Sequence, residues 1–137
     1  MITNEEKNII DTLKKQIECD AIKLSQERFD ILVDYIYKNE DGYKELLWRL
    51  CGSYEDSKLN FNKVIDIYVD TKDADYLAEL INYVPDSLDY QYLVDKLIGL
   101  NDKEFYYNFR ENFWPMIHDC IDYYYEKQLE SFYNKED

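Results

Sequence analysis

Only three glycines, Gly42, Gly52 and Gly99, and two prolines, Pro85 and Pro115, occur in 137 residues. That is too few for the many sharp turns of a hairpin-rich β fold. The glycines are also too scattered to cradle a phosphate, and no GxGxxG pattern, P-loop or nucleophile elbow is present. Histidine is scarcer still. His118 is the only one, so an HExxH zinc site, a paired-imidazole metal centre and most histidine-dependent triads lack their second imidazole. Cys19, Cys51 and Cys120 are odd in number, far apart and set on apolar helical faces, which predicts reduced core thiols and no disulfide or metal site.

The remaining routes to chemistry are poorly supported, the approach of Cys19 or Cys51 to His118 in the fold being the one cysteine–histidine pairing left open. His118 and Cys120 stand two apart in one helical pattern and so point about 200° apart, which prevents a nucleophile and base pair there. The "DTKDAD" run at Asp70 to Asp75 lacks the glycine and terminal glutamate of a calcium loop and reads as a helix-breaking turn. Carboxylates are abundant, yet none stands in a recognisable catalytic context. The expectation is a protein that is not an enzyme, with no catalytic, cofactor-binding or metal-binding residue.

Positive charge is the other shortage. Sixteen Lys and Arg against thirty Asp and Glu give a net charge of −14. Such a surface repels phosphate backbones and anionic bilayers and attracts basic proteins. The opening "MITNEEKNII" has acids where a secretory signal needs a basic region and an apolar core, and no segment approaches the roughly 20 apolar residues of a membrane span. A cytoplasmic protein with a basic protein partner, no direct nucleic acid and no membrane partner is expected.

What the chain does have is helical periodicity. The 46% hydrophobic content is enough for one core at this length, so residues 1–137 are read as a single helical domain. "TNEE" at Thr3 to Glu6 is a capping box that starts a helix near Asn4, with Ile9, Ile10, Leu13 and Ile17 on its inner stripe. Ser25 caps a second, with Phe29, Leu32, Val33 and Ile36 inward. Tyr43, Leu46, Leu47, Leu50 and Cys51 mark a third, up to Gly52. Phe61, Val64, Ile65 and Tyr68 mark a fourth, and Leu77, Leu80, Ile81 and Val84 a fifth that stops before Pro85.

Asp86 and Ser87 can begin a sixth helix carrying Tyr90, Leu93, Val94 and Leu97. "NDKE" at Asn101 to Glu104 caps a seventh with Phe105, Phe109 and Phe113, and Pro115 opens a last one running to about Tyr133. The fold class is therefore all-α, with about seven or eight short helices in a multihelical bundle or a short HEAT-like stack of helical hairpins. The stack is suggested by helix starts that recur roughly every 14 to 16 residues after Gly42.

Tyrosine is the other surplus, with fifteen in the chain. In "CIDYYYEKQLE" a helix fans Tyr123, Tyr124 and Tyr125 across roughly 200°, so they cannot all enter one core. With Ile117, Ile121 and Phe132 inward, Tyr124 and Tyr125 belong to the core or its edge. Tyr123 falls beside Asp119, Glu126 and Glu130, with Asp122 on the neighbouring edge. The fifth helix repeats the pattern, placing Tyr76 and Tyr83 outside with Asp75 and Glu79, and the sixth places Tyr92 near Asp95.

Tyrosine offers large, stiff contact area and carboxylates steer and pair with Lys or Arg, so these eleven positions form the candidate partner-binding set. Lys outnumbers Arg 13 to 3 and Ala occurs three times, the bias of an AT-rich coding sequence, which by itself enriches tyrosine.

A small, acidic, helical, tyrosine-rich chain with segments such as "DYLAELINYV" and "YLVDKLIGL" resembles the bacterial immunity proteins that neutralise toxins of interbacterial competition. The resemblance implies a stoichiometric inhibitor that binds a cognate toxin, often a basic nuclease, and blocks its active site or substrate channel. The alternatives are a phage-type inhibitor that mimics nucleic acid to occupy a defence protein, and a helical scaffold for an ordinary cellular partner. An enzyme working through carboxylates would need a deep polar cleft with strongly shifted acids.

Overall fold

In the computed structural model, which describes residues 1–15, 22–112 and 121–127, helices begin where capping chemistry places them. The Thr3 hydroxyl accepts from the Glu6 N–H at 3.1 Å, and the Glu6 carboxylate accepts from the Thr3 N–H at 2.8 Å. This closes the expected capping box ahead of α1 (Asn4–Lys14). Ser25 caps α2 (Gln26–Asn39) through the Arg28 N–H. No side chain caps α3 (Tyr43–Ser53) or α4 (Asn62–Asp70), whereas Asp73, Asp89 and Asp102 cap α5 (Ala74–Tyr83), α6 (Tyr90–Leu100) and α7 (Lys103–Arg110). Each aspartate satisfies an orphan N–H and faces the positive end of the helix dipole. Residues 121–127 are also helical, and no strand occurs among the described residues.

The sixth helix starts later than the sequence suggests. Pro85–Ser87 makes a single 3-10 turn, Leu88 is extended, and the side chain of Asp89 accepts from the Tyr92 N–H at 3.1 Å. Two aspartates competed for the cap, and the extended Leu88 between them decides for the second.

The "DTKDAD" break is a Schellman end made without glycine. Asp73 N–H reaches back to the Tyr68 carbonyl at 2.8 Å and Lys72 N–H to that of Val69 at 3.0 Å, with Lys72 left-handed at φ 54°. Asp73 thus finishes α4 and caps α5 at once. Its second oxygen meets Lys44 on α3 at 2.7 Å, which ties three helices at one joint.

Alternate helices pack side by side. α1 against α3, α3 against α5 and α5 against α7 form one layer, α2 against α4 and α4 against α6 form the other, and the layers meet where α2 packs on α3 and α4 on α5. This is the short stack of helical hairpins that the spacing implies. Between the layers lies the core, where Phe29 meets Phe61 at 5.5 Å and Tyr54 at 5.7 Å between ring centres.

Tyr68 is fully buried and donates its hydroxyl to the Lys44 carbonyl at 2.6 Å, and burial pushes its phenol pKa up. Cys51 is a buried thiol whose pKa is likewise pushed up by desolvation, so it packs as an apolar residue and is a poor nucleophile. Cys19, Phe113, His118 and Cys120 lie outside the described residues. No described helix is long and apolar enough to cross a membrane.

Candidate functional site

Helix α5 turns Leu77, Ala78, Leu80 and Ile81 into the core, which leaves Asp75, Glu79 and Tyr83 exposed at spacings of four. Residues four apart share a helix face, so the three make one outward stripe of two carboxylates and a phenol. Neither Asp75 nor Glu79 makes an ion pair among the described residues.

Beside the stripe stands Trp48 of α3, which the sequence reading did not select. Its indole N–H donates to the Glu79 carbonyl at 3.3 Å, and its ring stacks on Tyr83 with centres 4.3 Å apart and planes 29° apart. The tip of Tyr83 in turn lies over Gly52, one turn after Trp48. A Cβ there would stand 2.4 Å from the Tyr83 ring. Trp48, Gly52 and Tyr83 therefore form one aromatic shelf bridging α3 and α5, with Tyr83 still 42% exposed. Arg49, the nearest cation in sequence, is held by Glu45 at 2.9 Å.

At the Asp75 end of the stripe a polar cleft of about 640 Å³ opens between α5 and the end of α7, lined by Lys44, Lys72, Asp73, Asp75, Asn108 and Glu111. Its charges are mixed and partly spent. Lys44 pairs with Asp73 and Lys72 with Asp102, whose carboxyl is held below its usual range first by the Phe105 N–H and then by Lys72. Among the described residues no group of three or more His, Cys, Asp or Glu side chains is placed to hold a metal ion.

Other candidate residues are employed inside the fold. Tyr76 does not face outward. It is half-buried and stacks on Tyr68 of α4 with ring centres 5.8 Å apart. Tyr92 is also half-buried. It gives its hydroxyl to Asp66 of α4 at 2.6 Å, a bond that is the main reason its phenol pKa is pushed up to about 12. Both corrections have one cause: a neighbouring helix covers the flank of its partner, which a single-helix projection does not represent.

Asp95 stays exposed and accepts from Gln91 at 3.0 Å, and it stands on α6, in the other layer from α5.

The third group divides similarly. Asp122 is a structural anion. Arg110 donates to both of its oxygens, at 2.7 and 2.9 Å, and the Tyr106 hydroxyl adds a third bond at 2.7 Å. Tyr125 stacks on Tyr106 with centres 4.0 Å apart, and Tyr124, like Tyr125, is half-buried against the core, at its edge as expected. Tyr123 is 54% exposed beside exposed Glu126, packs edge-on against Tyr124, and carries the Lys127 ammonium 4.9 Å above its ring. Asp119 and Glu130 lie outside the described residues.

No protein-family model, curated protein or solved structure matches this chain.

Proposed function

We propose that this chain is a noncatalytic acidic binding protein of the immunity type, which acts in the cytoplasm by covering a basic toxin such as a nuclease and blocking its working surface. The observation that carries this reading is the exposed Asp75, Glu79 and Tyr83 stripe, seated on Trp48 in a chain of net charge −14.

Charge bookkeeping supports it. Lys14, Arg28, Lys44, Arg49, Lys63, Lys72, Lys96 and Arg110 are all engaged by carboxylates of the fold. Eight of the sixteen cations are thus engaged within the fold, while the stripe carboxylates stay exposed to solvent. A surface of this sign accelerates encounter with a basic protein, and a stiff aromatic beside it becomes a desolvated anchor after docking.

The test is affinity capture from the native host with the wild-type protein and with an Asp75→Asn, Glu79→Gln double variant. A basic protein identified by mass spectrometry, retained by the wild type and released by the variant, is the expected result. An acidic partner, or equal retention by both proteins, removes the reading.

A further inference from the structure

We infer that the Trp48–Tyr83 shelf is an arginine-recognising anchor, the place where a guanidinium of the basic partner docks. This deepens the reading above and rests on it for the identity of the natural ligand, though its chemistry can be tested without that partner.

Gly52 is the penultimate residue of α3, and glycine favours a helix less than alanine does. A Cβ there would first meet the tip of Tyr83, whose ring carbons and hydroxyl are its three nearest atoms, at 2.4 to 2.5 Å. The glycine therefore serves the pose of one exposed tyrosine. Without that pose Tyr83 would lose its close stack on Trp48, and the shelf would no longer be flat and fixed.

Trp48 and Tyr83 supply two electron-rich rings in one stack, and Glu79 sits one turn before Tyr83 on the same outward face while its backbone carbonyl accepts the Trp48 indole N–H. A cation over an aromatic face, with a carboxylate at its edge, is favoured electrostatically. A planar guanidinium satisfies both requests, stacking on the ring while its N–H fork meets the carboxylate, whereas an ammonium is a compact and strongly hydrated point charge.

The protein's own neighbouring cation is turned away from the shelf. Arg49, adjacent to Trp48, donates to Glu45 on its own helix and leaves Glu79 without an ion pair among the described residues. The shelf is prepared for a cation that the described fold does not supply.

The probe is an acetylated octapeptide amide of alternating Gly and Arg, compared with its Lys and citrulline counterparts. Binding is followed by the indole N–H resonance of Trp48, assigned by its loss in Trp48→Phe. The Arg peptide should shift that resonance saturably and bind about tenfold tighter than the Lys peptide, with citrulline inactive. Gly52→Ala should bring Arg binding down to the Lys level without lowering the unfolding midpoint. Tyr83→Leu and Glu79→Gln should each do the same by removing the ring and the carboxylate.

Equal affinity for Arg and Lys, a Trp48 resonance that does not move, or unchanged selectivity in all three variants would overturn the inference. The two proposals fail separately: an acidic natural partner sinks the function and leaves arginine selectivity standing, and a basic partner indifferent to Gly52→Ala sinks the anchor alone.

Discussion

The tip of Tyr83 on α5 lies over Gly52 on α3, so close that any Cβ at position 52 would meet it at 2.4 Å. The contact is made by the far end of a side chain, which can swing away into solvent. Gly52→Ala should therefore leave stability unchanged or raise it by up to about 1 kcal/mol through helix propensity. It should also disturb the Trp48 environment. Denaturant unfolding and near-ultraviolet circular dichroism together check this, and a loss of several kcal/mol would show that Tyr83 is fixed more firmly than its exposure implies.

Glu6 is the buried carboxylate of α1, 1% exposed, and it accepts from the Arg28 guanidinium and the Thr3 N–H. The guanidinium bond, as the largest cause, holds its pKa below the usual value of 4.5 against the opposing effect of burial. A depressed folded pKa contributes stability that is present above the unfolded pKa and lost as pH falls through the folded one. Glu6→Gln should cost about 1 to 3 kcal/mol at pH 7, and the gap should narrow below pH 4.5. Unfolding of both proteins across pH 3 to 7 checks this, and a gap that widens on acidification would contradict it.

Tyr92 should titrate near pH 12, shifted first by its bond to Asp66 and then by burial. Here the folded pKa is raised, so the linked stability is complete below pH 10 and declines as pH rises toward 12. A difference titration against Tyr92→Phe in the ultraviolet isolates this one phenol. Asp66→Asn should move its midpoint down toward the ordinary tyrosine value. A Tyr92 midpoint already at that value in the wild type would mean the bond is not kept in solution.

The three consecutive tyrosines should separate by mutation. Tyr125→Ala removes the ring stacked on Tyr106 and should cost about 2 kcal/mol of stability. Tyr123→Ala removes an exposed ring and should change stability by about 0.5 kcal/mol or less. Denaturant titration of the two variants is the check, and the reverse order would show that the helix over residues 121–127 is turned the other way on α7.

The positions of α1 to α5, the Thr3 to Glu6 capping box and the inward stripes of α2 to α5 were legible in sequence, because they rest on local chemistry and a period within one helix. Asp75, Glu79 and Tyr83 were legible for the same reason. Trp48 was not. It falls off the apolar stripe of α3, and its value comes from α5, 31 residues away at the Glu79 carbonyl. The internal bonds of Tyr76, Tyr92 and Asp122 were not legible either, since a helical projection shows which way a residue points and not which neighbouring helix waits there. The signal that was present for Trp48 was a large aromatic on the polar side of an amphipathic helix.

The central claim is that acid on the α5 stripe draws in a basic partner, and association kinetics test it most directly. Stopped-flow rates should be measured for the captured partner with wild-type protein and with the Asp75→Asn, Glu79→Gln variant between 20 and 200 mM salt, about the range where the Debye length falls through 10 Å. The account predicts a wild-type association rate that drops about tenfold or more with salt, a smaller drop for the variant, and dissociation rates that change far less. An association rate indifferent to salt, or identical salt dependence in the two proteins, would contradict it.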